Sequence, residues 1–216
     1  MIKMILAAVV ALGISTSACA TPRKFYDPTQ TFTANKERTV YFKGVIGGSA
    51  IKQASQIEAL SRVSAANIDF VINSPGGSVL PGLQVISAMR VAKARGVKFR
   101  CFVPVLAASM AFQILAECNK RYTLVNTLLL WHPVKISSSE PMDATTLLYY
   151  GQDLRRLERP LVADLIRALN ISRETFMYHY RHETLWTATQ LMELSPNFIS
   201  IVDNFANITD PFGFGE

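Results

Sequence analysis

FRCFVPVLAASMAFQILAECNKRYTLVNTLLLWHP, Phe99 to Pro133, is the stretch whose reading decides the fold. Phe99–Leu106 is a β-rich apolar run. Ala107 and Ala108 are small, and Ser109 follows them. Met110–Glu117 reads as the start of a buried helix with Cys118 on its last turn. A second apolar run, Tyr122–Trp131, ends at His132. A serine between a strand and a helix sits where backbone N–H groups point outward and the helix dipole favours negative charge. That place suits a nucleophile whose chemistry builds an oxyanion, and a histidine at the end of a nearby strand suits its base. Two plainer readings compete. Ser109 also fits a helix N-cap, and a lone His132 also fits a structural histidine.

Working toward the N-terminus, the same unit recurs. Ile68–Asn73 (IDFVIN) is a short apolar strand, Ser74-Pro75-Gly76-Gly77-Ser78 turns the chain, and Val79–Gly96 reads as a helix. A buried strand, a glycine turn and a helix, repeated, predict a parallel α/β arrangement. Thr39–Ile46 alternates as a first strand, and 50–65 carries Ile51, Ala54, Ile57, Leu60 and Val63 at helical spacing. The segment 21–38, with Pro22 and Pro28, reads as a loose N-terminal arm.

Beyond His132, residues 141–169 predict a long amphipathic helix, kinked or broken at Pro160. Leu147, Leu148, Leu154, Leu157, Leu161 and Leu165 mark its apolar stripe; Arg155, Arg156, Glu158 and Arg159 lie off it. Such a helix packs against a partner subunit. Ser172 and Thr187 cap two shorter helices, Phe198–Val202 is a last strand, and 204–216 is a tail.

The chain has 216 residues and a formal net charge of +6, spread without any run of five like charges. That size allows one domain with a substantial core, and the charge pattern gives no nucleic-acid footprint. Residues 1–20 read as a signal peptide: Lys3, the apolar Met4–Ile14, and the small-residue stretch Ser15–Ala20. Ala18-Cys19-Ala20 fits signal cleavage before Thr21, whereas Thr16-Ser17-Ala18-Cys19 fits lipid attachment at Cys19. Either way the product is exported, periplasmic or secreted. Cys101 and Cys118 then face an oxidising compartment, where a bridge between them would close a loop around Ser109; two buried thiols are the alternative.

The glycine pair after Ile68–Asn73 allows positive φ and close approach of backbone to a ligand. With Ser109 on the next such turn, the N–H groups of Gly77 and Met110 become candidate donors to one carbonyl oxygen. An imidazole base needs a carboxylate to fix its tautomer. Glu183 is a candidate; Asp143 and Asp164 lie on the long helix, and spacing alone does not choose among the three. His179, His182 and Glu183 offer no third nitrogen or sulfur ligand, so no metal is expected.

Asn73–Ser78, Ala107-Ala108-Ser109-Met110 and Trp131-His132-Pro133 resemble the three signatures of the Clp protease proteolytic subunit, in family order and at similar separations. Lys120-Arg121-Tyr122 and Asn126 match as well, and the likeness spans about Val40–Val202. It implies the ClpP/crotonase-like fold of repeated ββα/βα units, occupying 39–203, with 141–169 as the protruding handle helix that joins subunits into a homo-oligomer. It implies Ser109 as nucleophile, His132 as base, Glu183 as third member, and Gly77 and Met110 as the oxyanion hole. Glu183 stands where the family has aspartate, Ala111 replaces a glycine, and Ser195-Pro196 replaces Gly-Leu.

The function expected is therefore that of an exported, ATP-independent serine endopeptidase acting on peptides or unfolded protein segments, with no cofactor. Two rivals remain. One is a signal-peptide-peptidase-like Ser-Lys enzyme using Lys120 or Lys135. The other is a non-catalytic assembly protein that keeps the fold.

Overall fold

The structure is a computed structural model that describes residues 26–135 and 141–212. The expected signal peptide, Cys19 and the serine-rich loop 136–140 lie outside the described residues. Nine strands and six α-helices are assigned among the described residues. The strands are β1 (Tyr26–Thr33), β2 (Thr39–Lys43), β3 (Ile68–Asn73), β4 (Phe99–Val103), β5 (Leu106–Ala108), β6 (Lys120–Thr123), β7 (Leu128–Leu130), β8 (Leu185–Thr187) and β9 (Ser200–Ala206). The helices are α1 (Ala50–Val63), α2 (Val79–Ala94), α3 (Met110–Ala116), α4 (Ala144–Leu169), α5 (Arg173–Arg181) and α6 (Ala188–Leu194).

Two sheets result. The larger has the order β1-β9-β6-β4-β3-β2, and every neighbouring pair in it is parallel. The smaller has the order β5-β7-β8, parallel then antiparallel. The repeating βα pattern dictates this, since parallel strands need crossover helices. A parallel sheet must be covered on both faces. One face packs under the helices, with Phe70, Phe99, Met89, Phe112 and Ile57 buried there. The other carries Phe32, Phe102 and Val202, with Phe32 stacked on Phe102 at 5.2 Å between ring centroids.

Several expectations need correction. The arm 21–38 is not loose throughout: 26–33 is a strand paired with β9, and Lys36–Arg38 is a 3-10 turn. Phe32 from this arm fills the second core, so burial of an aromatic ring outweighs the proline-bearing composition. The run 99–106 divides into β4 and β5, and 122–131 into β6 and β7, because each changes sheet partway along. Pro160 lies inside a continuous α4. The last strand extends to Ala206, three residues into what the sequence reads as tail. Asp69 interrupts the apolar IDFVIN: it is fully buried and its carboxylate takes two bonds from Arg100, at 2.7 and 2.6 Å.

Cys101 on β4 and Cys118 after α3 form a disulfide, with Cα atoms 6.0 Å apart. It fastens the strand that leads to Ser109 to the end of the helix that leaves it. Closing a loop of this size stabilises by roughly 3 kcal/mol on a chain-entropy estimate.

Candidate active site

The site begins with the backbone of Ser109. Its φ is 56° and its ψ −122°. A side chain rarely takes that conformation, which costs on the order of 1–3 kcal/mol. Ser109 does stand at the N-cap position of α3, but its hydroxyl makes no capping bond. Among the described residues Oγ has no hydrogen-bond partner, and the serine is half-buried in the wall of a cleft of about 310 Å³. Gly77, Met110, His132 and Lys135 line the same cleft, with Trp131, Val134, Leu161, Leu165 and Tyr180 among its walls.

Strand pairing sets the ends of β5 and β7 side by side. In the small sheet Ala108 pairs with Leu130, and the Ser109 N–H donates to the Leu130 carbonyl at 2.9 Å. That register carries Ser109 level with Trp131, one residue before His132, and Ser109 and His132 line one cleft, although among the described residues no hydrogen bond joins them. Phe112, three residues into the chain beyond Ser109, lies against Trp131 with centroids 4.9 Å apart, and Trp131 stacks on Phe176 at 5.9 Å. This aromatic column ties the helix carrying Ser109 to the strand end carrying His132.

The glycine turn closes the other side. Ile46 forms a parallel bridge with Gly77: its N–H donates to Gly76 O and its carbonyl accepts from Ser78 N, both at 2.8 Å. In such a bridge the flanking peptides make the bonds, so the N–H of Gly77 faces away from Ile46. Met110 is the first residue of α3, whose N–H has no intrahelical acceptor. Among the described residues neither N–H has a protein acceptor, and both residues line the cleft. Gly76 is required for the approach: a Cβ there would lie 2.6 Å from both Ala108 O and Ser109 Cβ, at φ +92°. Buried Ser74 holds the turn by accepting the Gly76 N–H at 3.1 Å.

Glu183 arrives through β8. Leu128 pairs with Thr187 and Leu130 with Leu185, antiparallel. Glu183 lies two residues before β8, in the turn after α5, at a φ of 48°. Its carboxyl bonds Lys135, whose Nζ lies 2.8 Å from Oε1 and 2.9 Å from Oε2. The hydrogen bond and charge of Lys135 hold this carboxyl below its ordinary value, and His132 adds a smaller pull in the same direction. His132 Nδ1 lies 2.6 Å from the Pro133 carbonyl. A carbonyl only accepts, so Nδ1 carries the proton and Nε2 is left as an acceptor, the form a general base needs.

Asp143 and Asp164 are used elsewhere. Asp143 caps α4 through the Thr146 N–H, and Asp164 pairs with Arg90 and Arg167. His179 Nδ1 faces Thr184 Oγ1, and His182 Nδ1 faces the Tyr178 carbonyl. Lys120 is exposed on β6 and is not part of the cleft wall, whereas Lys135 is. Glu158 escaped notice in the sequence. It lies off the leucine stripe of α4, yet its Oε1 accepts from Val134 N at 2.7 Å and from the Tyr180 hydroxyl at 3.0 Å.

With this geometry in place, comparison with protein families gives a match between residues 23–194, well over half the chain, and the family described as Clp protease.

Proposed function

This chain belongs to the Clp protease family, and from that premise we propose that it is an exported serine endopeptidase working through an acyl-enzyme. Membership makes it a ClpP-like peptidase in a family whose members generally form oligomers and act on peptides. The observation that supports the finer reading is the strained Ser109, whose hydroxyl makes no capping bond and which lines one cleft with His132. Ser109 Oγ attacks the peptide carbonyl and His132 Nε2 takes its proton. The N–H groups of Gly77 and Met110 receive the oxyanion. The imidazolium returns the proton to the leaving amine, and water repeats the sequence to release the acid. Glu183 holds the family's acid position, with its charge shared by Lys135.

Export is supported by the disulfide and by the apolar leader pattern of residues 4–14. Outside the cytoplasm ATP is absent, so the reading is ATP-independent cleavage of short or unfolded segments. Oligomerisation is supported by Leu147, Leu148, Tyr149 and Tyr150, all exposed on α4.

A fluorophosphonate probe tests the chemistry. Labelling of Ser109 that is lost on His132→Ala supports the proposal. A Ser-Lys dyad is the second reading, favoured only by Lys135 lining the cleft; labelling would then survive His132→Ala and vanish on Lys135→Ala. No labelling of the wild type would leave a non-catalytic assembly role.

A further inference from the structure

We propose that Glu158 is a positioning residue for His132, acting through the single peptide group that joins Pro133 to Val134. The inference rests on the serine-peptidase reading of Ser109 and His132. The Pro133 carbonyl accepts from His132 Nδ1 at 2.6 Å. The Val134 N–H donates to Glu158 Oε1 at 2.7 Å. These two atoms belong to one amide. No peptide bond among the described residues is cis, so its C=O and N–H point in opposite directions. The bonds therefore run in line: imidazole N–H to carbonyl, amide N–H to carboxylate. A carboxylate bonded to an amide N–H polarises that amide and makes its carbonyl a stronger acceptor. Glu158 thus fixes the plane of the peptide that orients the ring.

Glu158 is itself held. The Tyr180 hydroxyl donates to the same oxygen at 3.0 Å, and burial together with the Glu158 charge pushes that phenol up from its ordinary value. Tyr180 is buried and stacks on Phe176, which continues the aromatic column under Trp131. The carboxylate is therefore braced from α5 while it bonds the histidine loop. Glu183, the acid expected from the family, has both oxygens bonded by Lys135, and among the described residues no hydrogen bond joins it to His132. The orienting bond to the ring comes from the Pro133 carbonyl, and the carboxylate behind that carbonyl is Glu158.

The test measures the rate of fluorophosphonate labelling at Ser109, and the melting temperature, in full-length wild type, Glu158→Ala, Glu158→Gln and Glu183→Ala. Lys135 and Tyr180 are unchanged throughout. Glu158→Ala should slow labelling by about 100-fold well below its melting temperature, the scale of a misplaced catalytic group. Glu158→Gln keeps an oxygen for the Val134 N–H and should recover most of the rate. A merely structural glutamate would lower the melting temperature and leave labelling below it unchanged. Wild-type labelling in Glu158→Ala would overturn the inference alone, as would a larger loss in Glu183→Ala than in Glu158→Ala. Should Glu158→Ala fail to fold, Glu158→Leu takes its place, and wild-type labelling in it overturns the inference. Absence of labelling in the wild type would overturn the serine-peptidase reading and this inference together.

Discussion

Lys135 bonds both carboxylate oxygens of Glu183, at 2.8 and 2.9 Å, and lines the cleft that also holds Ser109 and His132. The lysine is the main cause that holds the Glu183 carboxyl below its ordinary value. Lys135→Met should therefore let that carboxyl rise toward the ordinary value. The pair is exposed, so salt should shrink the difference between variant and wild type. A carboxyl titration followed by NMR at low and high ionic strength checks both statements; an unmoved carboxyl contradicts them.

Gly76 sets the distance between the glycine turn and the nucleophile. Alanine there would bring a Cβ within 2.6 Å of Ala108 O and Ser109 Cβ at a φ of +92°. The two turns must then separate, which displaces Gly77 from the cleft. Gly76→Ala should slow labelling by about 100-fold and destabilise by about 1–3 kcal/mol. Labelling kinetics with a thermal melt measures both.

The disulfide supplies the next expectation. Loss of Cys101–Cys118 should cost roughly 3 kcal/mol on the chain-entropy estimate, or about 6–12 °C in Tm for a domain of this size. Melting Cys101→Ser/Cys118→Ser against oxidised wild type gives the value. Labelling should persist well below the variant's Tm, because the β5–β7 pairing and the aromatic column remain.

Acid stability should depend on Glu117. Burial raises its carboxyl, but the bonds from Arg90 and Lys93 outweigh that and hold it below the ordinary value. A carboxyl lowered in the folded state stabilises fully above its unfolded value and loses that contribution as pH falls through the folded one. Wild type should therefore lose stability more steeply than Glu117→Gln below about pH 4.3, while at neutral pH it stays the more stable. Urea unfolding at a series of pH values compares the slopes.

Much of this arrangement is legible in the residues, and what is not has physical causes. The turns at Ser74–Ser78 and Ser109 can be read because glycine pairs and a polar residue between apolar runs are local signals. The splitting of 99–106 and 122–131 cannot, since a strand that changes sheet keeps the same apolar composition throughout. Residues 26–33 look polar because their pairing partner, β9, lies about 175 residues further along the chain. Asp69 lies hidden in an apolar run because its partner is on the next strand. Glu158 reads as solvent-facing by helical periodicity, and only the fold of 133–134 against α4 gives it an inward role. The family signatures point to Ser109, His132 and Glu183 but carry no information on Lys135, which reaches Glu183 across a loop.

The place of β1 has a bearing on synthesis. Among the described residues its one strand neighbour in the sheet is β9, which lies far along the chain. As the polypeptide leaves the ribosome, residues 26–33 must wait, unpaired, until 200–206 have been made. The pairs β2–β3, β3–β4, β4–β6 and β5–β7 can form earlier, in the order in which their strands emerge. Chains ending before Ser200 would thus leave both β1 and the outer side of β6 without a companion, and quality-control proteases should clear them faster than the finished product.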